Sequence, residues 1–320
     1  MRTRRGVSRS LASGTLDLSH LKAVPLKIFM PEPRNVLRLY LVGTGGTGGW
    51  LAPHVVRLAR FLRERGRNVE VAFVDPDIVE FKNVLRQNFG TAESGARKTE
   101  TLALRYGPVW GVPIHVYTTR FEQKMIELSY GDAGVIIGCV DNAAARRSIA
   151  EVFNQDTVRW DGRGEVPPVP RLWWLDTGNG ENTGQVLFGS TRTLKTLRIA
   201  FPHFPESTYC IQLPSPVLQH PDLLPSSSDG AEARPNEVAS SQEGTATSCA
   251  QMAWAGDQSP SINSMIANIA ATYLWRLFVD AKGLTTFATY CNLTSMSWRS
   301  TYITPAAVAE VVGKTETCFR

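Results

Sequence analysis

Residues 37–49 read LRLYLVGTGGTGG and residues 69–77 read VEVAFVDPD, and these two stretches decide the fold. The run Leu37 to Val42 is too short and too apolar for a surface helix, and it ends directly in glycines, so it reads as a buried strand. A helix follows from Gly49 to Glu64, with Leu51, Val55, Leu58 and Leu62 at helical spacing and Gly66 and Asn68 as its stop. Val69 to Val74 is a second strand ending at Asp75, which completes a right-handed βαβ unit. Farther on, a helix from Lys98 to Tyr106 precedes a short strand from Ile114 to Thr118. Ala133 to Val140 reads as a buried strand, Asn142 to Phe153 as a helix, and RLWWLDTG with GQVLFG as a strand pair. Strands alternating with helices predict an α/β, Rossmann-like, mainly parallel sheet with helices on both faces and ligands at the strands' carboxyl ends.

The rest of the chain organises around that core. Residues 1–34 contain Pro25, Pro31 and Pro33 without a sustained period and read as an N-terminal arm. The core spans 35–211. Residues 212–248 are rich in Pro, Ser, Glu, Gly and Ala, the composition of a flexible crossover loop that buries too little to offset its ordering entropy. Residues 249–320 return to the same domain: Ile262, Met265, Ile266, Ile269, Tyr273, Leu274 and Leu277 mark a packed helix over 261–280. A hairpin follows from Phe287 to Leu293 and Trp298 to Ile303.

With 320 residues, 43% hydrophobic and 20% charged, the composition excludes collagen, coiled coil and wholesale disorder. No apolar run reaches the ~20 residues a membrane span requires. Arg4 and Arg5 lack the apolar stretch of an export signal, so a cytoplasmic protein is expected. The five cysteines are odd in number and widely scattered, which argues for reduced thiols rather than a disulfide framework. The net charge of +5 sits largely in the first ten residues and in RLARFLRERGR. A solvated basic helix face explains the latter better than a nucleic-acid groove, and no nucleic acid or membrane partner is expected.

Gly43-Thr-Gly45-Gly46-Thr-Gly48-Gly49 fits GxGxxG after a strand and before a helix, where free amides face an anion. The motif alone also serves NAD and FAD proteins. The absence of GxxxxGK[ST] argues against a P-loop hydrolase. Asp75 or Asp77 stands where an acid meets a ribose hydroxyl. Asn83, Arg86, Gln87 and Lys98 follow just beyond, and cations there suit phosphoryl-group chemistry better than hydride transfer.

The succession GxGGxG, DxDxVxxxNxxRQ, GxxK, DN-x3-R and GQV resembles the ThiF/MoeB superfamily, the adenylating enzymes that activate the C-terminal glycine of ubiquitin-like proteins. The resemblance runs from about Leu37 to Phe188 and resumes from Cys249 to Phe278. WWLDTGNGENTGQV and the run from Ser248 to Phe278 are most similar to the ThiF-family members of bacterial PRTRC gene clusters.

This resemblance implies ATP held by Gly43, Gly45, Gly46 and Gly48, with Asp75, Asp77 or both at the ribose. It puts Asn83, Arg86, Gln87 and Lys98 around the triphosphate, with Asn142 and Arg146 beside them. Asp141 is implied as the Mg²⁺ ligand. The implied partner is a small ubiquitin-like protein bound through its C-terminal tail. The implied enzyme is a homodimer, with room for a downstream conjugating partner. Catalytic roles fall to Arg86, Lys98 and Asp141, and to Cys249 as the thiol that takes over the activated acyl group, with Cys210 as the second candidate. Cys139 reads as core.

Two departures qualify this picture. The chain has no CxxC pair, so no zinc is expected. The family's arginine-containing run before the glycine loop is missing too, leaving Arg34 or Arg38 as substitutes or the function absent. Alternative expectations are adenylation of a small-molecule or tRNA-borne carboxylate without a protein partner, a catalytically silent nucleotide-binding scaffold, and an NAD-dependent oxidoreductase.

Overall fold

A computed structural model describes residues 24–153, 169–204, 206, 208–224 and 260–319 of the chain. Ten strands are described: β1 Lys27–Ile28, β2 Leu37–Val42, β3 Val69–Val74, β4 Ile114–Tyr117, β5 Ala133–Gly138, β6 Leu172–Asn179, β7 Thr183–Gly189, β8 Tyr209–Cys210, β9 Thr286–Asn292 and β10 Ser297–Tyr302. The described helices are α1 Gly46–Glu64, α2 Lys98–Trp110, α3 Ala143–Val152, α4 Leu194–Leu197, α5 Pro216–Gln219, α6 Pro260–Phe278 and α7 Pro305–Val311.

Eight strands form one sheet in the order β10-β9-β7-β6-β5-β2-β3-β4. The half from β6 to β4 is parallel and the half from β6 to β10 antiparallel. β1 and β8 make a separate parallel pair. β2 enters mid-sheet, the chain moves outward through β3 to β4, and it then crosses back to β5 on β2's other side. Right-handed crossovers therefore put α1 and α2 on one face and α3 on the other. α6 packs along α1 and against β6 and β7, covering the first face. The core contains Leu37, Leu39, Leu41, Phe73, Trp173, Trp174, Phe188 and Phe287, each fully buried. The near-continuous burial of β2, β3, β5 and β6 is what a sheet covered on both faces requires. Among the described residues no helix is long and apolar enough to cross a membrane.

Differences from the expected elements have physical causes. α1 begins at Gly46, three residues ahead of Gly49, because its first turn packs so closely on the glycine loop that only glycine fits: a Cβ on Gly48 would lie 1.9 Å from Gly43 O. Pro53 lies inside α1 and cannot bond back to Gly49; the freed Gly49 carbonyl accepts instead from Asn88 Nδ2 at 2.9 Å.

The polar crossover begins later than its composition suggests. Gln212, Leu213, Ser215 and Val217 are buried, and Gln219 Nε2 donates to Phe188 O and Pro214 O, so 212–224 is packed structure. What lies from 225 to 259, with Cys249 in it, is outside the described residues, as are residues 1–23 of the arm.

The basic helix face is partly spent locally. Arg60 pairs with Glu64, and Arg65 and Arg57 lie over the Phe61 and Trp110 rings.

Candidate functional site

The carboxyl ends of β2, β3, β5 and β6 open into one cavity of about 480 Å³, at the point where the chain leaves β2 in one direction and returns on its other side. Its floor is the glycine loop. Gly43 has φ +84°, a left-handed conformation suited to glycine, and a Cβ there would lie 2.6 Å from Cys139 O. Gly45 caps α1, which directs the amino end of a 19-residue helix and its free amides into the cavity. Gly46 lines the cavity, whereas Gly48 does not and serves helix-to-loop packing.

The two acids of the Asp-Pro-Asp turn divide their work. Asp75 is buried and accepts from Thr44 N at 2.6 Å and Asp77 N at 2.9 Å, bracing the glycine loop against the end of β3. Asp77 is largely exposed and accepts from Lys98 Nζ at 3.0 Å; Lys98 itself is only 5% exposed. Arg86 and Gln87 enter from the segment after β3, and Gln87 stands against Gly45. Gln87 Oε1 is buried without a hydrogen-bond partner among the described residues, a polar atom whose partner has to come from elsewhere. Asn83 is not among the lining residues. It is buried, and its Oδ1 accepts from Glu80 N to cap the short helical turn 81–83 that carries Arg86 into place.

The far wall comes from β5 and α3. Asp141 is exposed at the mouth, and Asn142 Nδ2 donates to its Oδ1 at 3.1 Å. Asn142 Oδ1 caps α3 by accepting from Ala145 N. Arg146 occupies the first turn of α3 and faces inward, not the surface: it is 3% exposed, its Nε donates to Asp176 Oδ2 at 3.2 Å and its Nη2 to Thr177 O at 3.2 Å. Burial pushes the Asp176 carboxyl up to about 6, opposed by Arg146 and Trp174.

Thus Gly43, Gly45, Gly46, Asp75, Asp77, Arg86, Gln87, Lys98, Asp141, Asn142 and Arg146 meet in one cavity, while Gly48 and Asn83 support it from outside.

Sequence reasoning missed other members. Thr47, Asn179 and Asn263 form a hydrogen-bonded cluster, Asn179 Nδ2 donating to Asn263 Oδ1 at 2.9 Å. Arg120 and Phe121 close the side beyond β4. Only Asp176 left a signal, an acid inside the apolar run RLWWLDTG.

The thiols sort differently from expectation. Cys210 is fully buried, its Sγ donates to Gln212 O at 2.9 Å, and burial pushes it up to about 12, so the second candidate for the conjugating thiol is an inert core group. Cys139 is half-buried on the cavity wall, and its thiol is likewise pushed up to about 12 by burial. Arg38 is tied to Glu70 and Asp132 at the amino end of β2, and Arg34 lies beside Gly131 at that same end, so neither reaches this cavity.

Among the described residues, no three His, Cys, Asp or Glu side chains cluster as a metal site. Asp141, a single carboxylate at the cavity mouth on the α3 side, would suit an ion such as Mg²⁺, which takes one or two carboxylates and completes its shell with phosphate oxygens and water.

A mixed, mainly parallel sheet with a glycine loop and a cation-lined crevice at its switch point defines a Rossmann-like α/β protein. The chain belongs to the ThiF family, whose model matches residues 33–309. No curated protein matches it. Among solved structures, Escherichia coli MccB is similar at 11% identity and a TM-score of 0.46, over 86% of this chain and 64% of that one. PaaA is similar at 14% identity and a TM-score of 0.39, over 85% of this chain and 65% of that one. TcdA (CsdL) is similar at 17% identity and 0.31, over 39% and 49%. The chain thus spans less than two-thirds of the length of the MccB and PaaA chains it matches.

Proposed function

We propose that this protein uses ATP to adenylate a carboxylate, and that the carboxylate is the C-terminal glycine of a small ubiquitin-like, β-grasp protein. The observation that carries the reading is the convergence, in one cavity, of the amino end of α1 with Arg86, Lys98, Arg146 and Asp141. The orphaned Gln87 Oε1 adds an unmet polar demand against the glycine loop. Such a site needs no strong general base, because the substrate is already an anion and positioning with charge stabilisation is enough.

In this reading the α1 amides and the Lys98 and Arg86 side chains hold the phosphates, Lys98 leaving Asp77 as they arrive. Asp77 becomes available to the ribose. The substrate carboxylate oxygen bonds to the α-phosphorus, the bond to the β-phosphate oxygen breaks, and pyrophosphate leaves as an acyl-adenylate forms. Asp141 would hold Mg²⁺, which neutralises phosphate charge. The Cys249 thiolate then attacks the acyl carbon and AMP leaves, giving a thioester that a downstream conjugating partner can take. We further read the protein as a homodimer of the PRTRC type, with 35–211 and 249–320 forming one adenylation unit.

The test is isotopic exchange of pyrophosphate into ATP by the full chain with Mg²⁺ and a β-grasp partner bearing its native C-terminus. Exchange that depends on that terminus is expected, with Lys98→Ala slowing it on the order of 10²-fold or more. Absence of exchange under every magnesium and partner condition sinks the reading, and exchange with small carboxylates alone moves it to another substrate class. Cys249→Ala should retain exchange and lose a reductant-sensitive conjugate; a surviving conjugate removes Cys249 from the mechanism.

A further inference from the structure

We propose that Asp176 is a positioning residue of this site: its carboxylate, seated close against Gly138, holds the Arg146 guanidinium against the cavity wall. The inference rests on the adenylation reading for its functional consequence and on geometry for the rest.

Gly138 and Asp176 are direct neighbours in the parallel pairing of β5 and β6. A Cβ on Gly138 would lie 3.1 Å from Asp176 Oδ1 and 3.0 Å from Trp174 Nε1, so the glycine gives the carboxylate room that a side chain there would tighten. Asp176 is fully buried and is not among the residues lining the cavity, while Arg146 in front of it is. Among the contacts of the described residues, the guanidinium is held at Nε by the carboxylate and at Nη2 by Thr177 O at 3.2 Å, which constrains both its position and its plane. Thr177 is anchored in turn, its Oγ1 donating to Gly138 O at 3.1 Å.

Stability does not explain this arrangement. A buried ion pair is commonly no more stabilising than well-packed apolar residues, and a glycine inside a strand is a further cost. Two locally unfavourable choices, a glycine in β5 and a carboxylate in β6, are reconciled by what they do together. They aim a cation at the crevice between the glycine loop and α3 without leaving it free to move. Arg146 therefore acts as a fixed dipole-like element at the cavity wall, its charge offset from behind. Arg86 and Lys98 remain the cations that can follow the phosphates.

The test uses the full chain with Mg-ATP as probe. The Arg146 Nε–H resonance, identified by its loss in Arg146→Lys, should be protected from solvent exchange in the wild type. In Asp176→Asn it should exchange at least ~10-fold faster, with Mg-ATP binding weakened about tenfold by calorimetry. The double variant D176N/R146K should bind no more weakly than R146K. Unchanged Nε–H exchange in D176N, or losses that simply add in the double variant, overturns the inference. Should D176N not fold, Asp176→Ser, which removes the carboxylate without added bulk, is expected to give the same two changes; if it gives neither, the inference fails. A wild type that binds no Mg-ATP counts against the adenylation reading, and the exchange measurement still decides whether Asp176 fixes Arg146.

Discussion

Asp75 and Asp77 line the cavity and Asp176 stands behind its wall, and burial separates the roles of these three carboxylates. Asp75 spends its oxygens on backbone amides and so belongs to the loop; Asp77, largely exposed, holds Lys98 by a contact that a ligand can replace. Asp176, with the Arg146 guanidinium in front, the Trp174 indole beside it and the Cys139 thiol nearby, is raised from 3.8 to about 6 because desolvation outweighs the ion pair. A raised carboxyl binds its proton more tightly in the folded state than in the unfolded chain. Its contribution is therefore favourable below the unfolded value and is lost as pH rises from about 4 to about 6. Urea unfolding of the wild type against Asp176→Asn over pH 4–7 should show this loss, at most about 3 kcal/mol for a shift of this size, absent from the variant. Parallel curves would mean that Asp176 does not titrate in this window. Asp75, Asp77, Arg86, Lys98 and Asp141, which line the cavity, were legible because they stand at or shortly after strand ends; Arg120 lines it too and carried no such signal. The Arg146 partner was not legible, since residue 176 meets residue 146 only through a neighbouring strand.

At the scale of elements, the parallel strands were readable because a doubly covered strand must be a short apolar run, as LRLYLV, VEVAFV and AGVIIG are. Helix boundaries failed where tertiary contact overrode local preference. The run GTGGTGG looks like loop, yet Gly46, Gly48 and Gly49 form the first turn of α1, because α1 must approach the loop backbone to bring its amides to the cavity. Composition points the other way at 212–224, where Pro and Ser suggest a flexible loop although Ser215 N donates to Thr191 O and Leu213 O accepts from Ser190 N beside β7. Gly48→Ala tests the close approach. With a Cβ placed 1.9 Å from Gly43 O, the helix must shift, and a loss of about 1–3 kcal/mol or more is expected in thermal or urea unfolding. Because the shift moves the α1 amides, Mg-ATP binding should fall with it. An alanine variant as stable as the wild type would show that the first turn of α1 is not held against the loop.

For the whole molecule, the question is whether the last third of the chain is a lid on a finished core or part of the core itself. β9 pairs with β7 inside the sheet, and α6 lies along α1, so residues far apart in sequence share one packed face. The joint is Asn263. From the first turn of α6 it accepts from Asn179 Nδ2 at the end of β6 and from Thr47 Oγ1 in α1, and its own amide donates to Arg86 O at 3.4 Å. It is 1% exposed, and a Cβ on Gly46 would lie 2.4 Å from its Oδ1, so the glycine loop is shaped around it. No periodic pattern could have marked this residue, because its importance comes from three elements converging on it. Asn263→Ala takes the acceptor from the Asn179 amide and leaves Thr47 Oγ1 only its 3.4 Å contact with Asn179 Oδ1, which should cost about 1–3 kcal/mol of stability in urea unfolding. In the adenylation reading it should also weaken Mg-ATP binding, since the same change frees both the glycine loop and the Arg86 backbone. A variant that loses stability but binds Mg-ATP as tightly as the wild type would make α6 a packing element alone. Loss of both would make the returning helix a working wall of the site.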